Sequence, residues 1–167
     1  MEGVKSKFKI WSVVLVVSIS TLMLFLIFFF VANYTPTSDK GGFLFILFFT
    51  LFFLYFFSLL FFGELRTKLI SVVFSVDSIS KKSFCGLGPT KSYLFKEVIG
   101  YKTSVVQSRS GSYEYLYLIV DSKKVIKISE FYHENYKALK LEVIKNNIIN
   151  LGFEQWRLFN EMKEIFF

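Results

Sequence analysis

His133 and Cys85 are the only histidine and the only cysteine in the chain. They are the two residues of the types that most often do nucleophilic or proton-transfer work. A working nucleophile needs a base within hydrogen-bond reach and a third group to orient that base. His133 stands in "FYHENY" and Cys85 heads "CGLGPTK", in different elements, with no carboxylate following in a triad order. His133 reads as a packing or surface residue at a helix start, and Cys85 as a small apolar filler. A lone cysteine permits neither an internal disulfide nor a cysteine metal cluster. "CGLGPTK" lacks the spacing of a phosphate loop, and Pro89 has no amide to donate to a phosphate. It reads as a connecting loop. Metal-ligand clusters at helical or knuckle spacing are missing. The expectation is therefore no enzymatic activity, no cofactor and no metal.

Cations are the more informative chemistry. The chain has 20 Lys and Arg against 13 Asp and Glu, a net charge of +7. Arg66 and Lys68 follow an apolar run, and Lys81, Lys82 and Lys91 lie in the polar half just beyond it. A lysine close to an anionic leaflet gains about 1 kcal/mol. Arg66, Lys68, Lys81 and Lys82 are the expected membrane-surface contacts, with anionic lipid headgroups as candidate partners. The charge is dispersed rather than gathered on one face, which argues against nucleic acid.

The elements that carry these residues begin with a membrane. Hydrophobic residues make up 53% and aromatics 20% of the chain, too apolar for a soluble domain of this size. The run from Ile10 to Ala32 would form a helix of about 35 Å, against a bilayer core about 30 Å thick. The run from Phe43 to Phe62, "FLFILFFTLFFLYFFSLLFF", is half phenylalanine and carries no charge. Between them "NYTPTSDKGG" supplies turn residues. The first run exceeds the roughly 7–15 apolar residues of a cleaved signal, so it reads as retained. Neither run holds an ionisable residue in its interior, the usual mark of an ion or proton path. The pair, residues 10–32 and 43–62, reads as an anchoring transmembrane hairpin. Lys5, Lys7 and Lys9 precede it, Arg66 and Lys68 follow it, and the linker is neutral. The positive-inside rule then places both termini in the cytoplasm, with 1–9 a cytoplasmic tail and a bacterial inner membrane as the expected location.

Residues 65–167 read as one small cytoplasmic domain. Strands are predicted near Thr67–Val76, Ile79–Phe84, Lys91–Phe95, Ile99–Gln107, Tyr113–Val120 and Lys124–Ile128. In the fifth, Leu116, Leu118 and Val120 form an apolar face, while Tyr113, Tyr115 and Tyr117 line the other as a candidate partner face. A helical period then begins near Glu130 and carries Tyr132, Tyr136, Leu139, Val143, Ile148 and Leu151, with Ser129 as N-cap and Gly152 as stop. "FEQWRLFNEMKEIFF", Phe153 to Phe167, is helix-compatible; it either extends this closing helix into the core, the preferred reading because Glu154, Glu161 and Glu164 would be repelled by an anionic leaflet, or lies on the membrane as an interfacial helix.

A run of short strands closed by one amphipathic helix, after a two-helix hairpin, resembles the bacterial pleckstrin-homology-like (PH-like) membrane proteins. "SVVFSVDSI", "SYLFKEVIGYK" and the terminal helix carry the resemblance, with Leu94-Phe95 where such families have Pro-Trp. It implies an α+β PH-like β-barrel capped by a C-terminal helix. The expected function is a non-enzymatic binding or scaffold module at the inner leaflet, its partner an anionic lipid or another membrane or cytoplasmic protein. The alternative is an accessory subunit of a larger membrane complex, with the phenylalanine-rich span as its interface.

Overall fold

The computed structural model describes residues 3–33, 40–108, 111–157 and 161. Helix α1 spans Ile10–Ala32. Helix α2 spans Lys40–Ser58 and continues through a π-helical stretch, Leu59–Leu65. Both are long and apolar enough to cross a membrane, the second as Gly41–Leu65. That is longer at each end than the apolar count suggested. Their flanks are bare: Trp11 is 82% exposed and Phe28 70%. What joins them is ring stacking, Phe30 lying 5.8 Å from both Phe49 and Phe53. The hydroxyls do not bridge the pair. Ser20, Thr21 and Ser58 each donate to the carbonyl four residues back in their own helix. Most of the connection, residues 34–39, lies outside the described residues.

The stretch Gly3–Lys9, expected as a tail, runs along the domain. Ser6 N–H donates to the Val72 carbonyl at 2.8 Å, and Phe74 N–H to the Val4 carbonyl at 2.9 Å. Val72 N–H donates in return to Ser6 Oγ. Further on, Lys9 N–H reaches the Tyr132 carbonyl, Glu134 N–H the Lys7 carbonyl, and Asn135 Nδ2 the Lys5 carbonyl. Gly3 is needed where this strand-like stretch begins, because a Cβ there would stand 1.6 Å from the Phe74 carbonyl oxygen. Both ends of the helical pair are therefore held on one domain.

The domain has two sheets among the described residues. In the first, β1 (Ser71–Phe74), β2 (Ser78–Lys82) and β3 (Thr90–Leu94) are antiparallel neighbours. The second has the order β6-β5-β4-β7: β4 (Gly100–Ser108), β5 (Gly111–Val120) and β6 (Lys123–Ser129) are antiparallel, and β7 (Asn150–Phe153) pairs parallel with β4. Helix α3, Tyr136–Lys145, buries Tyr136, Leu139 and Val143. The common core holds Ile70, Val72, Phe74, Ile79, Leu116, Leu118, Ile126, Ile128, Leu139 and Val143. A second cluster joins domain to helices, with Val16 of α1 packed on Leu69 and Tyr132 beside Leu65. No ladder joins the two sheets, so the expected barrel does not close among the described residues.

The closing helix is shorter than its apolar period. Residues Glu130–Asn135 form turns, and the helix ends at Asn146, with Asn147 left-handed at φ 55°. Asparagine tolerates that conformation and stops helices in this way. Gly152 is thus no helix stop but part of β7, and Leu151 and Phe153 are strand residues. Gly100 faces β7 at a point where a Cβ would meet the Ile149 carbonyl and the Leu151 side chain at 2.6 Å. Beyond Arg157 only Glu161 is described, so most of the segment expected as helix, 158–160 and 162–167, lies outside the described residues.

Candidate anion-binding cleft

The π-helical stretch delivers Glu64 to the domain. Leu69 N–H bonds the Glu64 carbonyl at 2.9 Å, the five-residue step of that geometry. The Glu64 carboxylate accepts from Lys68 Nζ at 2.6 Å and from the Tyr132 hydroxyl. Burial, then the nearby Glu64 charge, holds the Tyr132 phenol far above its ordinary range, so it acts only as a donor. Glu161 lies on the other side of Lys68, at 3.6 Å. It accepts from Lys127 Nζ at 2.8 and 2.9 Å. Burial alone would lower the Lys68 pKa, but Glu64, Tyr115 and Glu161 together raise it. Burial alone would raise Glu161, but Lys127 and Lys68 pull it below the usual carboxylate range.

The two tyrosines expected on an open face lie beneath this network. Tyr115 is 7% exposed and Tyr117 2%. Lys124 stands 4.5 Å over the Tyr117 ring and Lys127 5.1 Å, while Lys68 stands 5.7 Å over Tyr115. Such cation–aromatic contacts cover a ring that strand alternation alone would leave in water. The Tyr117 hydroxyl also bonds Ser104 at 2.9 Å. Tyr113 is half-buried against Phe131, edge to face at 5.0 Å. The three therefore form no common exposed partner face.

The four expected membrane contacts are also divided. Lys68 is buried among carboxylates, so it offers no charge to a lipid surface. Lys82 alternates to the opposite side of β2 from Lys81 and lies with Lys5 and Cys85. Arg66 and Lys81 come together with Lys91, the cation noted beside them in the sequence, and with three lysines that the sequence reading left out, Lys123, Lys124 and Lys127. A cleft of about 540 Å³ is lined by Arg66, Lys81, Lys91, Lys123, Lys124 and Lys127, with Glu161 at its margin. Lys81 and Lys91 are direct cross-strand partners. Lys81 Nζ donates to the Val125 carbonyl and so bridges the two sheets at the cleft floor. Burial, then the Lys91 and Arg66 charges, pushes the Lys81 ammonium down to about 8. Among the described residues no carboxylate pairs with Arg66, Lys81, Lys91 or Lys123. The missed signal was the pair Lys123-Lys124, which a hairpin turn returns to the level of β2.

His133 serves the fold. It is fully buried, with Nε2 2.9 Å from the Ile70 carbonyl and Nδ1 3.2 Å from Ser129 N–H. With its proton on Nε2, the neutral ring donates to the first and accepts from the second. Burial lowers its pKa against the pull of the Ile70 carbonyl and of the Ser129 carbonyl, which lies 3.0 Å from Nδ1. Cys85 is half-buried beside Phe8 and Leu69, and burial raises its thiol. Among the described residues no group of three or more His, Cys, Asp or Glu is placed to hold a metal. Comparison of the chain with family models, curated proteins and solved structures finds no match.

Proposed function

We propose that the chain is a membrane-anchored module that works by binding and not by catalysis. Its two helices cross the bilayer of a bacterial inner membrane, and its domain sits at the inner leaflet. The observation that carries this reading is the bracing of one domain at both ends of the helical pair: by the Gly3–Lys9 stretch at one end and by Glu64 at the other. A domain fixed in this way presents one orientation to the membrane. Tethering raises its effective concentration for a membrane-bound ligand. Two largely antiparallel sheets around one core with an amphipathic helix beside them support a PH-like fold in an open form.

The test is topological. In a Cys85→Ser background, an impermeant thiol reagent applied from outside should label Thr37→Cys and spare Lys7→Cys. Alkaline carbonate should leave the chain in the membrane pellet. Labelling of the second site alone, or release by carbonate, overturns the reading.

The accessory-subunit reading has its own observation. Phe48, Phe52 and Phe56 form an outward ladder on α2, with ring centroids 6.3 and 4.7 Å apart. If leucine at all three positions dissolves a native complex while the domain stays folded, the span is the interface.

A further inference from the structure

We propose that the cleft between β2, β3 and β6 binds the phosphate-bearing headgroup of an anionic lipid, with Arg66, Lys81, Lys91 and Lys123 as its donors. The proposal rests on the membrane-anchored reading and gives it a ligand. Three observations carry it.

The first is uncompensated charge. Like charges directly opposite on neighbouring strands destabilise a sheet. Lys81 and Lys91 are so placed, and Arg66 adds a third positive charge from the end of the second helix. A few residues away the same fold neutralises Lys68 and Lys127 with two carboxylates, so acidic residues were within reach of this region. Cations left crowded around an open volume are the arrangement an incoming anion completes, through short charge-assisted hydrogen bonds. The depressed Lys81 ammonium agrees with this, since an anion beside it would raise its pKa again.

The second is shape. The volume of about 540 Å³ is large for one inorganic ion and lies in the ordinary range of small-ligand sites. Pro89 and Val125 at the wall, beside Thr67 and Ser83, give it apolar edges as well as hydroxyls. Its cations come from a helix end, two strands of one sheet and the start of β6 in the other. The convergence belongs to the fold and not to one charged segment.

The third is position, and it selects the source of the phosphate. Arg66 and Thr67 line the cleft and directly follow Leu65, the last residue of the apolar span. In the membrane-anchored reading the cleft mouth stands at the level where lipid headgroups begin. A soluble phosphate compound would have no reason to be met there.

The experiment uses the full chain in non-ionic detergent. It is titrated calorimetrically with dioctanoyl phosphatidic acid, dioctanoyl phosphatidylcholine and inorganic pyrophosphate. The expected result is saturable binding of phosphatidic acid, with the zwitterionic lipid and pyrophosphate each at least about tenfold weaker, the scale of one charge-assisted contact. Lys81→Gln with Lys91→Gln should weaken phosphatidic acid by about tenfold or more, while Lys137→Gln on the exposed side of α3 leaves it unchanged. Should the double variant lose its fold in a thermal melt, Lys123→Gln at the exposed start of β6 takes its place, with a smaller loss expected. Between pH 7 and 9.5 the affinity should fall as Lys81 gives up its proton. Arg66, Lys91, Lys123, Lys124 and Lys127 are the other cations facing the site, and Glu161 its acid. Pyrophosphate binding as tightly as the lipid overturns the lipid source. Equal binding of both lipids, or an unchanged affinity in the double variant and in Lys123→Gln, overturns the cleft. Carbonate extraction reads the tether separately. A chain that stays in the pellet yet binds no anionic lipid overturns the cleft alone; a chain released by carbonate overturns the anchored reading as well.

Discussion

Two groups of cations flank Glu161, and the protein treats them in opposite ways. Lys68 and Lys127 are buried and held by carboxylates at 2.6 and 2.8 Å. Arg66 and Lys91 are exposed, Lys81 is half-buried, and no carboxylate meets any of the three among the described residues. Arg66 and Lys68 are two residues apart, and on a helix such neighbours point about 200° apart. One therefore faces the domain and the other the cleft. The same lesson holds on β2, where Lys81 and Lys82 point to opposite sides. Charge near a membrane is not one resource. Its use depends on which side of an element the residue occupies and whether an acid has been supplied there.

The contrast can be broken most forcefully on its neutralised side. Lys127→Met should cost about 3 kcal/mol of stability, because it leaves the buried Glu161 with only the longer Lys68 and Tyr117 contacts, at 3.6 and 3.5 Å. A denaturant melt of the full chain checks this, and an unchanged midpoint means the pair is not held as described. Acidification is the next largest probe. Both Glu161 and His133 have folded pKa values below their ordinary 4.5 and 6.5. The unfolded chain then binds more protons, so stability is fully present above those values and falls as pH drops through them. Thermal melts from pH 7 to 3 should decline, and Glu161→Gln should flatten the lower part of the curve.

The unneutralised side gives the opposite slope. Lys81 is depressed to about 8 from 10.5, so its share of stability should rise between those pH values. Lys68 is raised above 10.5, and what it contributes is present below that pH and lost only above it. Lys81→Gln should remove the rise near pH 9; melts on both sides of that pH decide it. The smallest effect is Lys91→Gln. It should stabilise the protein by about 0.5 kcal/mol by relieving the cross-strand repulsion. The gain should shrink in high salt, and a loss would mean that Lys91 has an unrecognised partner.

The helical pair and the order of six strands were legible because long apolar runs and alternating strands leave periodic signals. Lys145, Asn146 and Asn147 show where period fails. Ile148 and Leu151 keep the helical spacing of the residues before them, yet two asparagines end the helix and the chain returns as β7. Local spacing cannot report a stop that depends on a left-handed residue. The tyrosine face failed for a different reason. Alternation places Tyr115 and Tyr117 together correctly, but what lies over them comes from Lys124 and Lys127 of the paired strand β6 and from Lys68, far off in sequence. Part of the cleft was visible as Arg66, Lys81 and Lys91. The rest, Lys123, Lys124 and Lys127, needed the approach of β6, and only the pairing of β2 with β3 sets Lys91 directly opposite Lys81.

The Gly3–Lys9 stretch has a consequence for how the molecule is made. Lys7 meets Asn135, a partner 128 residues later in the chain. At roughly 5–20 residues per second, synthesis separates the two by on the order of ten seconds. The Gly3–Lys9 stretch must therefore wait for Asn135 before this contact can close. In the membrane-anchored reading proposed above, a hairpin that returned the chain to the wrong side would leave the β1 edge bare, and a bare edge invites pairing with another chain. In that reading the final closure of this stretch doubles as an inspection of insertion: only a molecule whose helices came back can cover its own β1 edge.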